Sequence, residues 1–517
     1  MEAERRQVTV LFADMVGYTA FSERSGEEAA FTLMQSLAKL MEDAVREQGW
    51  VVQGFTGDGI MAVFGAPVAQ EDAPLRACKA ARTIFERLSA AGDDLEARHR
   101  ARPQLRIGVN SGVAVVGRVQ GGSEAGVTIM GDTVNVAARL QALAEPGSAV
   151  ISEATCRLVQ GLVEMTFAGE HQIKGRSDSQ KAYRLDAIRK GSTRFDAKVQ
   201  LGLTTYVGRD RELERLERGL NAISRGIEVF DIVGEAGIGK SRLVHEFLGQ
   251  IVKERVRVLI GSCTPDGQQT PFGAFIEIVR GAFCLSPNDD EAALAHKFEE
   301  GLKALGLSSS ENLGLLLNLL GLKVSEGALE GLDGVLIGLR TRDLVQHLVQ
   351  SRCRLRPMIL VFEDLHWLDS ASEDLLKKIV GIEEPLQLLI LETRRPEYSP
   401  SWIGQAQVTH LPIGPLSARE TARIAEARIG VEQLPEALAK LIAAKAEGNA
   451  LFAEEIASFL VERGIVRHSA AGLDFDSAAV AAALPESVQS LLASRVDRLA
   501  PADRTLLQTA AAVGTPL

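Results

Sequence analysis

The chain is poor in the features that mark several broad protein classes. Of 517 residues only 5% are aromatic and five are cysteine, and Asp plus Glu (68) outnumber Lys plus Arg (57), giving a formal net charge of −11. An acidic total argues against a generally nucleic-acid-binding surface and leaves any phosphate chemistry to metal ions or local arginines. Cys78, Cys156, Cys263, Cys284 and Cys353 stand singly, without a C-x-x-C pair, and an odd count does not suit a disulfide framework. Reduced thiols are therefore expected. No stretch approaches the roughly 18 uninterrupted apolar residues of a membrane span. The richest, LGLLLNLLGLKV, is broken by Asn318 and Lys323 and reads as a buried or amphipathic helix. The opening MEAERRQVTVLFAD enters a strand pattern almost at once, without the apolar core of a signal peptide, so a cytoplasmic location is expected.

What is present is ordinary globular material, 46% hydrophobic and 24% charged, and enough of it for about three domains. Gln7 to Ala13 reads as a strand. SGEEAAFTLMQSLAKLMEDAV opens with a capping box, Ser25 and Glu28, and sets Phe31, Met34, Ala38, Met41 and Val45 on one face. VVQGFTGDGIMAVFG follows as a hairpin, and then a helix in which Cys78 falls in phase with Leu75, Phe85 and Leu88. After the polar AGDDLEARHRARPQ come the strand LRIGVNSGVAVVG, the Gly-rich VQGGSEAG, the short strand VTIM and a helix from Asp132. This order suits a ferredoxin-like α+β domain. RKGSTRFDAKVQLGLTT is polar and unpatterned and reads as a linker. A second α/β unit starts near Tyr206 and a helix-rich tail near Leu416. LLQTAAAVGTPL stops soon after a helix pattern, so the chain is expected to continue in a longer protein.

Two carboxylates punctuate the first domain: Asp14 ends the first strand, and Asp58 sits in the hairpin, where Asp-Gly is also an ordinary turn signal. Asn135 and Arg139, spaced i, i+4, share one helix face. FADMVGYT (12–19), FTGDGIMAVFG (55–65), GDTVNVAARL (131–140) and IKG (173–175), in that order, resemble the class III nucleotidyl cyclase catalytic domain over roughly Gln7 to Leu185. The resemblance implies that Asp14 and Asp58 hold two divalent ions, Mg²⁺ or Mn²⁺. One would activate the ribose 3'-hydroxyl for attack on the α-phosphate, the other would balance charge on the pyrophosphate. It assigns Asn135 to the ribose, Arg139 to charge on the transferred phosphate and Lys174 to phosphate binding. It further implies a head-to-tail homodimer in which the aspartate pair of one chain meets the asparagine and arginine of the other. Where the family usually has a purine-reading lysine this chain has Gly54, and at the second base-reading position it has Thr128, a residue found there in bacterial adenylate cyclases. A glycine offers no side-chain hydrogen bond, which leaves both ATP and GTP open as substrate.

GEAGIGKS (234–241) fits G-x-x-x-x-G-K-[ST] between the strand EVFDIV and the helix SRLVHEFLGQIV, the setting a phosphate-cradling loop requires. Gly234, Gly237 and Gly239 would let the backbone wrap the phosphates. Lys240 would reach the β/γ oxygens and Ser241 would join Mg²⁺. MILVFEDLHW supplies a Walker B pattern, with Glu363 on Mg²⁺ through water and Asp364 on the attacking water. His366 beside them is expected to pack or face solvent. TTYVGRDRELERLERGL, GEAGIGKS, VFEDLHWLDSAS, LLILETRRPE and GNALFAEEI together resemble the STAND-type signalling P-loop ATPases fused behind cyclase domains. That likeness implies that Val207, Gly208 and Arg209 flank the adenine and that Thr393 and Arg395 sense the γ-phosphate. The family's Gly-Asn-Pro turn appears as Gly448-Asn449-Ala450. LPESVQSLLASRVDRLAPADRTLLQ looks like the start of a winged-helix segment.

The expected architecture is thus multidomain: an α+β ferredoxin-like cyclase domain (1–187), a linker (188–204), an α/β P-loop ATPase domain (205–415), and a helical lid running into a winged-helix segment (416–517). The expected function is a homodimeric adenylate cyclase making 3',5'-cyclic AMP and pyrophosphate, regulated by an ATP- and Mg²⁺-binding module and by an unidentified protein or ligand. A signalling ATPase with a weak cyclase-like domain, or a cyclase using GTP, is the alternative. Nothing in the sequence points to a membrane or nucleic-acid partner.

Overall fold

The computed structural model describes residues 4–49, 52–55, 59–66, 68–70, 72–118, 127–172, 179–189, 195–196, 199, 202–251, 255–286, 289–324, 327–469, 472–482 and 488. The chain divides into two compact units, Met1–Leu203 with Ala482–Leu517, and Thr204–Ala481.

The first unit is built on β1 (Glu4–Met15), β2 (Val52–Phe55), β3 (Gly59–Phe64), β4 (Leu105–Arg118), β5 (Val127–Met130), β6 (Ser148–Ser152), β7 (Val163–Gln172) and β8 (Ser179–Ile188). They form one sheet in the order β2-β3-β1-β4-β6-β8-β7, with β5 paired to β4. β1 lies antiparallel to both β3 and β4, whereas β4 and β6 run parallel. Alternation along β1 divides its side chains between two cores. Leu11, Ala13 and Met15 join the layer containing α2 (Glu27–Glu47) and α3 (Ala73–Ala90), and Val8 and Val10 join a second core with Ala137 of α5 (Asp132–Leu143). Phe12 and Asp14 share the parity of Val8 and Val10 and so belong to the α5 side.

Two local expectations give way. Ser25 and Glu28 form no capping box, because Tyr18–Ser25 is already a separate helix, α1, and Gly26 at φ 87° breaks the chain before α2. The buried stripe of α2 is Ala30, Leu33, Met34, Leu37, Met41, Ala44 and Val45. Phe31 is 62% exposed and Ala38 only half-buried, since the stripe that meets the sheet is rotated from the one expected. The polar stretch after α3 forms a short helix, α4 (Gly92–His99), anchored by buried Leu95. Cys78 is buried as expected, and burial raises its thiol pKa to about 12.

The second unit has a five-stranded parallel sheet of β9 (Glu228–Val233), β10 (Arg257–Ser262), β11 (Met358–Glu363), β12 (Leu388–Arg394) and β13 (Val408–Pro412), ordered β10-β11-β12-β9-β13. Its central strands are near-continuous apolar runs because helices cover both faces. On one face Phe230, Ile232, Val361 and Leu391 pack with Leu243 and Phe247 of the helix Lys240–Gly249. On the other, Leu360, Phe362, Leu388 and Ile390 meet a helical insertion that includes Ser310–Leu319, whose Leu315, Leu316 and Leu317 are buried. Helices Ala418–Ile429, Glu436–Ala446 and Ala450–Glu462 and a small hairpin, β14 (Val466–Ser469) with β15 (Gly472–Phe475), follow. The segment expected to begin a winged helix lies, apart from Val488, outside the described residues.

Candidate active and nucleotide sites

In the first unit the sheet presents Asp14 near the C-terminal end of its central strand, half-buried, opposite Gly59 on β3 and Arg106 on β4. Gly59 is obligatory there: a Cβ would stand 2.2 Å from the Ala13 carbonyl oxygen. Asp58 itself lies outside the described residues, as does Lys174. The register nevertheless aligns Asp14 with the residue that follows Asp58.

Helix α5 is seated on β4 by three devices. A Cβ on Gly108 would come within 2.2 Å of the Gln141 nitrogen and 2.4 Å of the Ala137 oxygen, so the helix backbone lies directly on the strand. Asn110 Nδ2 donates to the Thr133 carbonyl at 2.9 Å, and Thr133 Oγ1 donates to the Val113 carbonyl at 2.7 Å. This seating buries Thr133, Val136, Ala137 and Leu140 and turns Asn135 outward, exposed, with Arg139 half-buried on the same flank. Asp14 is met instead by Gln141, whose Nε2 donates to Oδ2 at 3.4 Å. At 3.6 residues per turn, Asn135 and Arg139 lie about 120° and about 160° around the helix from Gln141. One chain therefore brings Asp14 to α5 but does not bring it to Asn135 and Arg139.

Gly54 pairs with Met61 next to a bulge in β2, and a Cβ there would meet nothing within 4 Å. Thr128 pairs with Gly117 in the β4–β5 hairpin. Val113, Val115 and Met130 on that hairpin are 43%, 41% and 59% exposed, and Val115 faces Met130 across the pair.

The second unit collects its site at one edge of the sheet. The loop Gly234–Gly239 leaves β9, with Gly237 at φ 78° and Gly239 at φ 107°, and the helix opens at Lys240. Lys240 is buried, its Nζ donating to the carbonyls of Gly234 at 2.8 Å and Glu235 at 3.0 Å. Burial lowers its pKa to about 8; the charge of Asp364 opposes this and that of Arg395 adds to it. Glu363 ends β11 and Asp364 follows in left-handed backbone, its N–H donating to Thr393 Oγ1 at 3.0 Å. Thr393, expected to sense phosphate, thus ties β12 to the acid pair. Ser241 sits in the first turn of the helix. The His366 side chain packs against Trp367 and stands 4.0 Å from Asp364 Oδ1.

Val207 is buried, and Gly208 and Arg209 close on the segment after β13. Arg209 Nη2 donates to the Gly414 carbonyl at 2.5 Å, and the Leu416 N–H donates to the Gly448 carbonyl at 2.9 Å. Asn449 Nδ2 donates to the Ala236 carbonyl at 2.8 Å, the Leu451 N–H donates to Gly237 at 3.0 Å, and Asn449 Oδ1 caps the following helix at Phe452. The Gly-Asn-Ala turn therefore grips the phosphate loop through its asparagine without needing a proline.

Four groups escaped the sequence reading. Arg394 forms a buried bidentate pair with Asp231, Nε–Oδ1 2.6 Å and Nη2–Oδ2 2.9 Å, and His410 Nδ1 lies 2.7 Å from the same carboxylate. An acid inside the apolar run EVFDIV was the available signal. Glu392 is fully buried, accepts from Trp402 Nε1 at 3.0 Å, and is raised to about 8, chiefly by burial. Asp369 caps two helices, accepting from Phe272, Gly273 and Ser372. Arg242 donates to the Thr204 carbonyl at 2.8 Å while Thr204 Oγ1 donates to Glu454, tying the start of this unit to the phosphate-loop helix and to the helix Ala450–Glu462.

Residues 1–187 match the family described as the adenylate and guanylate cyclase catalytic domain, 205–391 the AAA ATPase domain, and 417–468 a domain of unknown function. An uncharacterized protein of Rhizobium meliloti is 30% identical over 99% of this chain and 49% of its own length. Adenylate cyclase 1 of the same organism is 34% identical over 36% of this chain and 28% of its own. The chain thus spans half or less of the length of these curated relatives. The crystal structure of the adenylyl cyclase CyaB from P. aeruginosa shares 26% identity over 37% of this chain and 100% of that one, with a TM-score of 0.36. Among the described residues no helix is long and apolar enough to cross a membrane.

Proposed function

Because the chain joins an adenylate and guanylate cyclase catalytic domain to an AAA ATPase domain, we propose that it converts ATP to 3',5'-cyclic AMP and pyrophosphate as a homodimer, under the control of nucleotide held by the ATPase unit. The observation that carries this is the division of labour around α5, with Asp14 at Gln141 and with Asn135 and Arg139 on another flank. A second copy, turned head to tail, would supply Asn135 and Arg139 to each Asp14. The apolar Val113, Val115 and Met130 on an exposed hairpin support such a contact.

A half-buried carboxylate at a strand end is the hard oxygen donor that Mg²⁺ or Mn²⁺ takes. Bound by Asp14 with Asp58, such ions would acidify the ribose 3'-hydroxyl and neutralise phosphate charge. Asn135 would orient the ribose, Arg139 would stabilise charge on the α-phosphate as its bond to pyrophosphate breaks, and Lys174 would bind the phosphate chain. In the ATPase unit, Lys240 would exchange its two loop carbonyls for phosphate oxygens, with Ser241 and Glu363 holding Mg²⁺.

Gly54 favours a second reading, in which base selection is loose and GTP also serves, or turnover is low and the ATPase carries the function. The purified chain, given ATP or GTP with Mn²⁺ or Mg²⁺ beside Asp58→Ala, decides between them: cyclic AMP above the variant is expected, and no cyclic product from either nucleotide removes the cyclase reading. Gly54→Lys, whose Cβ would meet nothing within 4 Å, should sharpen base preference, changing the ATP/GTP activity ratio by about fivefold, the worth of one hydrogen bond. An unchanged ratio dismisses Gly54 as the selectivity position.

A further inference from the structure

We propose that Gln141 is a positioning residue for the metal-binding carboxylate of its own chain: it fixes the rotation of Asp14, while the other flank of the same helix serves the partner's site. This rests on the homodimeric cyclase reading above. Gln141 Nε2 donates to Asp14 Oδ2 at 3.4 Å. Its backbone has little room to move, because the Gly108 Cα faces it so closely that an added Cβ would lie 2.2 Å from its nitrogen and 2.7 Å from its Cα. Gly108 in turn pairs with Phe12, two residues before Asp14 on the same side of β1. The Gln141 carbonyl accepts from the Ala144 N–H at 3.1 Å, closing the last turn of the helix. The amide is thus delivered to the carboxylate by a strand and a helix whose backbones meet directly at Gly108.

An amide is the donor that suits this place. Lysine or arginine would neutralise the carboxylate and compete with a cation, and a second acid would repel it. A neutral N–H orients one oxygen without itself neutralising the carboxylate. Asn135 and Arg139 are turned away from this contact, so the two functions of α5 do not compete for the same groups.

Binding of Mn²⁺ is read by electron paramagnetic resonance in the full chain with a non-cyclisable ATP analogue, counting only the class of Mn²⁺ sites that Asp14→Asn removes. Gln141→Leu should weaken that class roughly fivefold to tenfold, the low end for a residue that orients a metal ligand because the bond is long. Affinity equal to the parent chain overturns the proposal. If Gln141→Leu lowers the melting temperature, Gln141→Asn, one methylene short, takes its place under the same criterion.

The second arm mixes Asp14→Asn chains with Arg139→Ala chains, which should restore one intact site per heterodimer. Adding Gln141→Leu to the Arg139→Ala chain, the one that supplies the intact Asp14, should raise the Mn²⁺ concentration needed for half-maximal activity. Adding it to the Asp14→Asn chain should leave that concentration unchanged. An equal effect in both overturns the assignment to the same chain. Failure of the mixture to restore any activity counts against the dimer instead, and leaves the Mn²⁺ titration to judge Gln141.

Discussion

In the first unit the acid near the end of β1 and the asparagine and arginine of α5 face different ways, whereas in the second the lysine bonds the loop after β9 and the acid pair at the end of β11 is tied to Thr393 of β12. The difference follows from sheet topology. In a parallel sheet every strand ends at the same edge, so β9, β11 and β12 deliver their following residues to a common place. In the mostly antiparallel first sheet, strand ends alternate between edges, and a helix lying across one face must present its outer flank away from the strand beneath it. A parallel unit completes a site within one chain. The antiparallel one invites completion from outside.

That contrast is open to attack at its strongest point first. Arg139→Ala should lower cyclic nucleotide production about 10²–10³-fold, the usual loss for a group that stabilises transition-state charge. Activity regained on mixing with Asp14→Asn chains supports a shared site, and an Arg139→Ala chain that is active alone would erase the contrast. Lys240→Ala should weaken nucleotide binding in the ATPase unit by about 10–100-fold, the worth of its charge-assisted bonds to phosphate, as followed with a fluorescent ATP analogue. The Asp14→Asn chain should bind that analogue at the phosphate loop with unchanged affinity.

Smaller effects test how each site is held. Gly108→Ala forces a Cβ against helix backbone that has nowhere to go, and should cost the cyclase unit about 1–3 kcal/mol together with its activity. Gly54→Ala, facing open space, should stay within about 0.5 kcal/mol in the same chemical-denaturation measurement. The ATPase unit should show its own pH signature. Glu392 is raised from 4.5 to about 8 when folded, so the folded state holds an extra proton between those values. Its contribution to stability is complete below pH 4.5 and is lost as pH rises through 8. The melting temperature of this unit should therefore fall between about pH 4.5 and 8 and level off above, and Glu392→Gln should flatten that fall; an identical slope in the variant would assign the effect elsewhere.

Much of this was legible in the residues. The phosphate loop announces itself because glycines, a lysine and a serine must stand at set spacings between a strand and a helix, and the structure places them there. The spacing of Asn135 and Arg139 correctly puts them on one flank. Which way that flank points was not legible, because it depends on Gly108, 27 residues earlier, accepting the helix backbone. Gln141 carried no signal at all: its role comes from a strand that is its neighbour only in space. The capping box failed for a local reason, since Ser25 was already committed to the preceding helix. The stripe of α2 was misjudged by one residue's rotation, enough to send Phe31 to the surface.

By itself the sequence determined the two domain types and their order along the chain, and it fixed the phosphate loop, a short segment whose residues meet by local geometry. The tertiary structure decided everything that depends on contacts between distant segments: that Asp14 answers to Gln141, that Asn449 grips the phosphate loop, that Arg394 is spent on buried Asp231. Hydrogen bonds and close backbone approaches of that kind are set by packing, and a linear pattern does not encode which distant residue will fill the space.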